Sequence, residues 1–151
     1  MSLIVEHLLS RMRVASYQPL GLPSPCCEWM GSHDRFGHGR VKVGGRNVHV
    51  RRAILVARGV SLSPDQHAIA LCQNPRCVND EHLIAGTATE ARAFGLHGHV
   101  GMGELFVAQQ MIADGEATAE QFAICLEVSA ALLIRAIAKC SWEGQAFKKA
   151  S

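Results

Sequence analysis

The stretch CQNPRCVNDEH, residues 72–82, decides the fold of this chain because it places two thiols and an imidazole close together. Its spacing, Cys72-x4-Cys77-x4-His82, supplies the soft sulfur and nitrogen donors that bind zinc in proteins. Little apolar periodicity accompanies these residues, so we expect a loop over residues 72–87 that a metal orders. Zinc binding of this kind can contribute on the order of 10 kcal/mol to folding.

The other cysteines offer a fourth ligand. Six cysteines in a chain of 151 residues without a secretion signal indicate thiolate or metal chemistry before disulfides. Cys26 or Cys27 could complete a tetrahedral Cys3His set, which is structural because it leaves no open position. Cys125 and Cys140 fall on apolar faces of expected helices, and we expect both in the core. The alternative is that all six are ordinary buried thiols.

The first 14 residues have a helical apolar spacing that Glu6, His7, Arg11 and Arg13 interrupt, so they contain no signal-peptide core. No apolar run approaches the ~20 residues that a membrane span needs. We therefore expect a cytoplasmic protein that does not enter a membrane.

Charge is distributed unevenly along the chain. Residues 35–58 contain no acid, whereas residues 100–147 are acidic, although the net charge is only +2. Alternating strand patterns around Gly44-Gly45 predict a basic β-hairpin, and a two-stranded ribbon can enter the major groove of DNA. The alternative is a solvated charged face. The predicted contacts to double-stranded DNA are Arg40, Lys42, Arg46, Arg51 and Arg52.

The remaining elements follow from periodicity and breakers. A helix over Leu3–Ala15 precedes a linker rich in proline and glycine, which suggests a boundary near residue 20. Further helices are expected over residues 52–58, 88–94 and 103–113, and as a pair over 118–139 that breaks near residues 127–129.

Four segments together resemble the zinc-binding branch of the HNH (His-Me finger, ββα-metal) nucleases found in phages and intron homing enzymes. That branch reads C-x-E-W-x-G, G-Y-G-R, an H-R pair and H-x-C-D-N-P-x-C-V-N-P-x-H-L-x-x-G-T. The counterparts here are residues 26–31, 37–40, 51–52 and 70–87. The resemblance implies that Cys26, Cys72, Cys77 and His82 hold structural Zn2+, and it puts Cys27 where an aromatic residue is usual.

The same resemblance implies that catalysis is lost. The general-base histidine of these nucleases aligns with Ala70, the metal-binding asparagine with Ala91, and the histidine of the H-R pair with Arg51. A methyl group cannot accept a proton, and loss of a general base costs ~10²–10⁴-fold in rate. The rival expectation is an active nuclease with relocated groups, with His49 or His67 and Asp80 or Glu81 as the residues to test.

Residues 111–142 also resemble the C-terminal helix-turn-helix-like segment of phage HNH proteins. Glu127 replaces the usual turn glycine, and Arg135, the only cation among the reading positions after Ser129, is the predicted DNA contact of this segment. Apolar residues read base edges poorly, so this segment could instead form a homodimer, dock a protein partner or fill a helical core.

We therefore expect an α+β fold: an N-terminal helix (residues 1–20), a degenerate HNH zinc module of ββα type with a basic hairpin (21–99), and a helix-turn-helix-like segment (100–147). The expected function is that of an inactive HNH nuclease of bacterial or phage type that binds DNA, as a transcriptional regulator. An active nuclease and a protein-docking module are the alternatives.

Overall fold

The computed structural model describes residues 3–95 and 98–142, with side chains from residue 6 onward. Over those ranges the chain forms three two-stranded antiparallel sheets and six α-helices, which confirms a mixed α+β fold. In chain order the elements are α1 (Leu3–Leu9), β1 (Met12–Val14), β2 (Cys27–Trp29), β3 (Arg40–Val43), β4 (Arg46–His49), α2 (Val50–Ala57), β5 (Gln66–Ala70), a 3-10 turn (Asp80–His82), β6 (Leu83–Thr87), α3 (Ala88–Phe94), α4 (Met102–Ala113), α5 (Ala119–Leu126) and α6 (Ala130–Lys139).

The antiparallel pair β5–β6 is the middle layer of the fold. Ile69 lies opposite Ile84, and Ala70 lies opposite Leu83. Because successive side chains of a strand point to opposite faces, the two pairs face different sides of the ribbon. The isoleucines pack with α3, α4 and α6, whereas Ala70 and Leu83 pack with α1, α2 and the β3–β4 hairpin. The ribbon therefore lies between two cores.

The basic β-hairpin is confirmed as β3–β4. Gly44 and Gly45 form its two-residue turn with φ of +59° and +78°, a left-handed conformation that glycine adopts without strain. Val41 is buried beneath the hairpin, whereas Lys42 and Arg46 are exposed. The hairpin thus packs its apolar residue inward and leaves cations on its surface.

The predicted helix over residues 3–15 is wrong in its second half, because α1 ends at Leu9. The chain then forms β1, which pairs with β2, and the Ala15 N–H continues the pairing by donating to the carbonyl of Cys26 at 2.8 Å. Leu8 of α1 is buried in the same core as α2. Strand pairing with the segment that carries Cys26 therefore outweighs the helical spacing of the apolar residues.

The predicted loop over residues 72–87 is wrong for residues 83–87, which form β6. Leu83 and Ile84 are consecutive and both buried, on opposite faces of the ribbon. A strand covered on both faces lacks the alternation of apolar and polar residues that would have revealed it.

The helices of the C-terminal segment agree with the predicted ones, and α5 and α6 are bent by 101° about a break at residues 127–129. Glu127 has φ of +57°, where glycine is usual. Cys125 is exposed, so the expectation that it lies in the core is wrong, whereas Cys140 packs against the helical core. Residues 143–147 of the predicted segment lie outside the described residues.

Within residues 3–95 and 98–142, no single helix has both the length and the apolar composition to cross a bilayer; the bent pair α5–α6 meets both requirements only when its two helices are taken together.

Candidate metal centre

The four metal ligands that the resemblance implies lie together in the structure. They are Cys26, Cys72, Cys77 and His82. One ligand atom from each, three Sγ atoms and a ring nitrogen, lies within 4.8 Å of all the others. The Sγ atoms of Cys26 and Cys77 are 3.7 and 3.4 Å from Nδ1 of His82. Three of the residues are fully buried and Cys72 is half-buried. The cluster could hold a metal ion, and Cys27 in β2 is not part of it.

The orientation of His82 suits a ligand. Its Nε2 lies 2.8 Å from the carbonyl oxygen of Ser24, which can only accept a hydrogen bond. Nε2 therefore carries the proton, and the lone pair of Nδ1 points at the sulfur atoms. Metal-bound histidines in proteins are commonly held in this way by a backbone carbonyl.

Backbone hydrogen bonds fold residues 72–79 around the sulfur atoms. The N–H of Cys77 donates to the carbonyl of Asn74 at 3.1 Å, which closes a tight turn between the two cysteines of the stretch. The N–H of Val78 donates to the carbonyl of Cys27 at 2.7 Å. This second bond joins the turn to β2 and so brings Cys26 to the cluster.

The three thiols of the cluster differ in acidity. A hydrogen bond from the Cys72 thiol lowers the pKa of Cys77 to about 4, and His82 and nearby backbone N–H groups act in the same direction. That hydrogen bond raises the pKa of Cys72, as does burial, and burial raises the pKa of Cys26. Cys77 is therefore the thiolate at neutral pH, and a metal must displace protons from the other two.

Arg51 holds the turn in place. Its Nε donates to the carbonyl of Cys77 at 2.8 Å and its Nη2 to the carbonyl of Asn74 at 2.6 Å. Burial lowers the pKa of Arg51, and the negative charge of the cysteine cluster opposes that shift. The sequence predicted Arg51 as a DNA contact; the structure shows its guanidinium bonded to the backbone of the turn, and contact with DNA stays a prediction.

Arg52 and Arg135, two more of the predicted DNA contacts, also bond to backbone carbonyls. Arg52 donates to Gln66 at 2.6 Å and to Ser63 at 2.8 Å, and so closes the loop between α2 and β5. Arg135 of α6 donates to Ala85 of β6 at 3.1 Å. Both guanidiniums join elements of the fold, and contact with DNA stays a prediction for each.

The remaining predicted cations, Arg40, Lys42 and Arg46, lie on the hairpin. A cleft of about 600 Å³ opens beside it, and Arg40 and Lys42 line that cleft together with Arg11. His33 lines it too, and its Nε2 is buried without a hydrogen-bond partner among the described residues. Sequence reasoning missed Arg11 because it placed this residue in a helix.

The two positions that the resemblance to HNH nucleases aligns with catalytic groups, residues 70 and 91, are alanines that pack against the cores. Ala70 is only 7% exposed and packs in one core with Trp29 and Val50. Ala91 packs against the core on the other side of the ribbon. Neither position presents a group that could accept a proton or bind a metal.

The residues that the rival nuclease hypothesis names have different surroundings. Asp80 pairs with Arg58 at 3.3 Å, and the side chains of His67 and Glu81 are exposed. Partial desolvation of its ring lowers the pKa of His49, which is therefore neutral at pH 7. His49 has the protonation state of a general base, but a role in catalysis stays a prediction.

Two proteins of Escherichia phage T7 are similar to this chain. Protein 2.8 is 31% identical over 86 residues, which is 56% of this chain and 54% of the relative. Protein 7.7 is 36% identical over 62 residues, which is 41% of this chain and 48% of the relative. The chain thus spans about half the length of the curated relatives it matches, and neither name states an activity. No family model matches the chain, and no solved structure matches it.

Proposed function

We propose that this chain is a zinc-containing DNA-binding protein, derived from an HNH endonuclease that has lost catalysis, which acts as a transcriptional regulator. The cationic cleft beside the β3–β4 hairpin is the observation that carries this proposal, because it gathers Arg11, Arg40 and Lys42 around one acid, Asp34. The similarity to phage proteins agrees with the phage-type resemblance of the sequence.

The geometry of the metal centre supports zinc. Tetrahedral zinc with Zn–S of about 2.3 Å and Zn–N of about 2.0 Å separates sulfur from nitrogen by about 3.5 Å. The two sulfur–nitrogen distances to His82 are 3.7 and 3.4 Å. Three thiolates, a neutral imidazole and Zn2+ carry a net charge of about −1. The buried guanidinium of Arg51 offsets that charge, which gives a reason for an arginine at this position.

The cleft supports binding of a phosphate backbone. Cations dominate the affinity of proteins for DNA because they displace condensed counterions. Lys42 and Arg46 are exposed on the hairpin, and Arg11 adds a third cation at the cleft that Lys42 also lines. A two-stranded ribbon of this kind fits the major groove, where base edges can be read.

The alanines at residues 70 and 91 support a role without cleavage. Hydrolysis of DNA by this type of nuclease needs a general base and a divalent ion that stabilises charge on the phosphate. Ala70 and Ala91 supply neither, and the guanidinium of Arg51 is committed to the metal centre.

A gel-shift titration tests the proposal. Zinc-loaded protein is titrated onto random and genomic DNA fragments, once without and once with Mg2+, and shifted and cut products are separated on one gel. We expect a shift with intact DNA under both conditions. Cutting that needs Mg2+ would favour the nuclease with relocated groups, and the absence of any shift would remove the DNA-binding proposal.

A second candidate function is docking of a protein, with a second copy of the chain as the simplest partner. Ile124 of α5 is 79% exposed, the largest exposed fraction among the large apolar side chains of the described residues, and Ile134 of α6 is 54% exposed. Sedimentation of the wild type and of Ile124→Ser tests this function. A wild-type dimer that dissociates in the variant would support docking of a second copy, and a wild-type monomer would oppose it.

A further inference from the structure

A second group of metal-binding side chains lies at the base of the hairpin, apart from the Cys3His cluster. It consists of Asp34, His38 and His49, whose ligand atoms all lie within 4.8 Å of one another. We infer that these three residues form an open binding site for a divalent transition metal. The inference goes beyond the proposed function and does not depend on it.

The loop before β3 presents two of these ligands. Oδ1 of Asp34 accepts hydrogen bonds from the N–H groups of Phe36 and His38 at 2.9 and 3.0 Å. The N–H of Asp34 donates to the carbonyl of His38 at 2.9 Å, which closes the loop. Because Oδ1 is occupied by the backbone, Oδ2 is the oxygen that remains for a ligand, and it lies 3.9 Å from Nδ1 of His38.

The hairpin supplies the third ligand. His49 ends β4 and lies opposite Arg40 at the start of β3, next to the loop. The rings of His38 and His49 meet edge to face with their centroids 6.0 Å apart. Metal bonds of about 2.1 Å place neighbouring ligand atoms of an octahedral ion about 3 Å apart. The distance of 3.9 Å between Oδ2 of Asp34 and Nδ1 of His38 must therefore shorten by about 1 Å, and the partly exposed ring of His38 has room to turn.

The ligand set indicates which ion fits. Two imidazoles and one carboxylate suit zinc, cobalt, nickel or iron rather than magnesium or calcium, which prefer oxygen ligands. Three protein ligands leave positions for water, so this site is open and exchangeable, whereas the Cys3His cluster is closed.

Arg40 competes with a metal at this site. Its Nε lies 3.4 Å from Oδ2 of Asp34, the same oxygen that a metal would take. A bound ion must therefore displace the guanidinium. Removal of this competing charge is expected to strengthen metal binding, whereas a purely structural ion pair predicts no such gain.

Cobalt binding to the zinc-loaded full chain tests the inference. Zn2+ binds such sites more tightly than Co2+, so zinc should stay in the Cys3His cluster while cobalt reports on the second site. After equilibrium dialysis against Co2+ alone, zinc and cobalt are counted per chain by elemental analysis. We expect one zinc ion and one cobalt ion per chain in the wild type.

Variants assign the second ion to its ligands. His49→Ala and His38→Phe should each weaken cobalt binding at least about tenfold and leave zinc unchanged, since even outer partners of metal ligands are worth that much. Asp34→Asn should do the same, and it keeps an oxygen to accept the two backbone N–H groups that order the loop. His67→Ala, at an exposed histidine on β5, is the matched control and should bind cobalt as the wild type does.

Arg40→Gln should bind cobalt more tightly than the wild type. A wild-type chain that retains one zinc ion and binds no cobalt would overturn the inference, as would a cobalt affinity that neither His49→Ala nor His38→Phe lowers. Weaker binding by Arg40→Gln would also count against it.

Discussion

The two sides of the β5–β6 ribbon are stabilised by different chemistry. On one side, the short strand β2 is joined by backbone hydrogen bonds to the turn that carries Cys77 of the Cys3His cluster, and Arg51 bonds to the backbone of that turn. On the other side, helices α3 to α6 pack through apolar residues such as Leu132 and Leu133, which are fully buried. The metal side therefore combines an apolar core, which includes α1 and α2, with the Cys3His cluster, whereas the core of the helical side is apolar packing between helices and the ribbon.

The difference follows from what each set of elements can bury. Isolated pairs of short strands are marginal in water, whereas coordination of zinc can contribute on the order of 10 kcal/mol. Helices with a continuous apolar face need no such ligand. The candidate functional groups, the cationic cleft and both Cys/His clusters, lie on the side that depends on ligand chemistry.

Removal of one sulfur ligand should have the largest effect. Cys72→Ser or Cys77→Ser should release the metal and unfold the central module, because zinc coordination contributes on the order of 10 kcal/mol to folding. Metal content and thermal unfolding measure this. Cys125→Ser, at an exposed cysteine outside the cluster, is the control. If the ligand variants kept the wild-type zinc content and melting temperature, the claim that this side of the ribbon depends on zinc for its stability would be contradicted.

Leu133→Ala should destabilise the helical side without changing the metal centre. Leu133 is 0% exposed in the helical core, and truncation of a buried leucine costs about 2–5 kcal/mol. Denaturant unfolding should show this loss while the zinc content stays constant. Ile134→Ala, one residue along on the exposed face, should change stability by less than about 0.5 kcal/mol. Loss of zinc in Leu133→Ala would mean that the two sides are not independent.

Glu90→Gln tests a buried charged group on the helical side, which is 8% exposed. Oε1 accepts the N–H of Thr87 at 3.1 Å, and Oε2 accepts the N–H and the hydroxyl of Ser129 at 3.0 Å, so one carboxylate joins the starts of α3 and α6. Loss of such charge-assisted bonds should cost about 1.5–3 kcal/mol at pH 7.

The pH dependence of that loss has a definite sign. Burial alone would raise the pKa of Glu90, but the N–H groups of Ser129 and Thr87 outweigh it and lower the pKa. The stability that the Glu90 carboxylate contributes is therefore fully present above the pKa that Glu90 has in the unfolded chain. It is lost as pH falls through the lower pKa that Glu90 has in the folded protein. Wild type and Glu90→Gln should converge in stability in acid, and a constant difference down to low pH would contradict this account.

Much of the architecture could be predicted from the sequence where one local signal decides. Gly44-Gly45 determines the hairpin turn, Thr118 and Ser129 precede the last two helices as their N-caps, and the spacing of Cys72, Cys77 and His82 identifies the cluster. These features depend on residues a few positions apart, which is the range that a sequence pattern covers.

What could not be predicted depends on partners far along the chain. β1 follows from pairing with β2 rather than from its own residues, and β6 is hidden because both of its faces are buried. Arg51 and Arg52 count as surface cations in a charge profile, but backbone carbonyls more than ten residues away hold them. A charge profile records how many cations are present and not which carbonyls they reach.

The smallest expected effect is a change in DNA affinity, and it shows which side of the ribbon binds DNA. Arg46 is exposed on the hairpin, whereas Arg135 of α6 donates to the backbone of β6. If the hairpin side binds phosphate, Arg46→Ala should weaken DNA binding by about 1 kcal/mol, uniformly across sequences, and reduce the salt slope by about 1. Arg135→Gln, which keeps a hydrogen-bond donor, should leave affinity and slope near the wild-type values. Titrations at several salt concentrations measure both. The reverse order of effects would move the DNA surface to the helix-turn-helix-like segment and leave the metal side with a structural role alone.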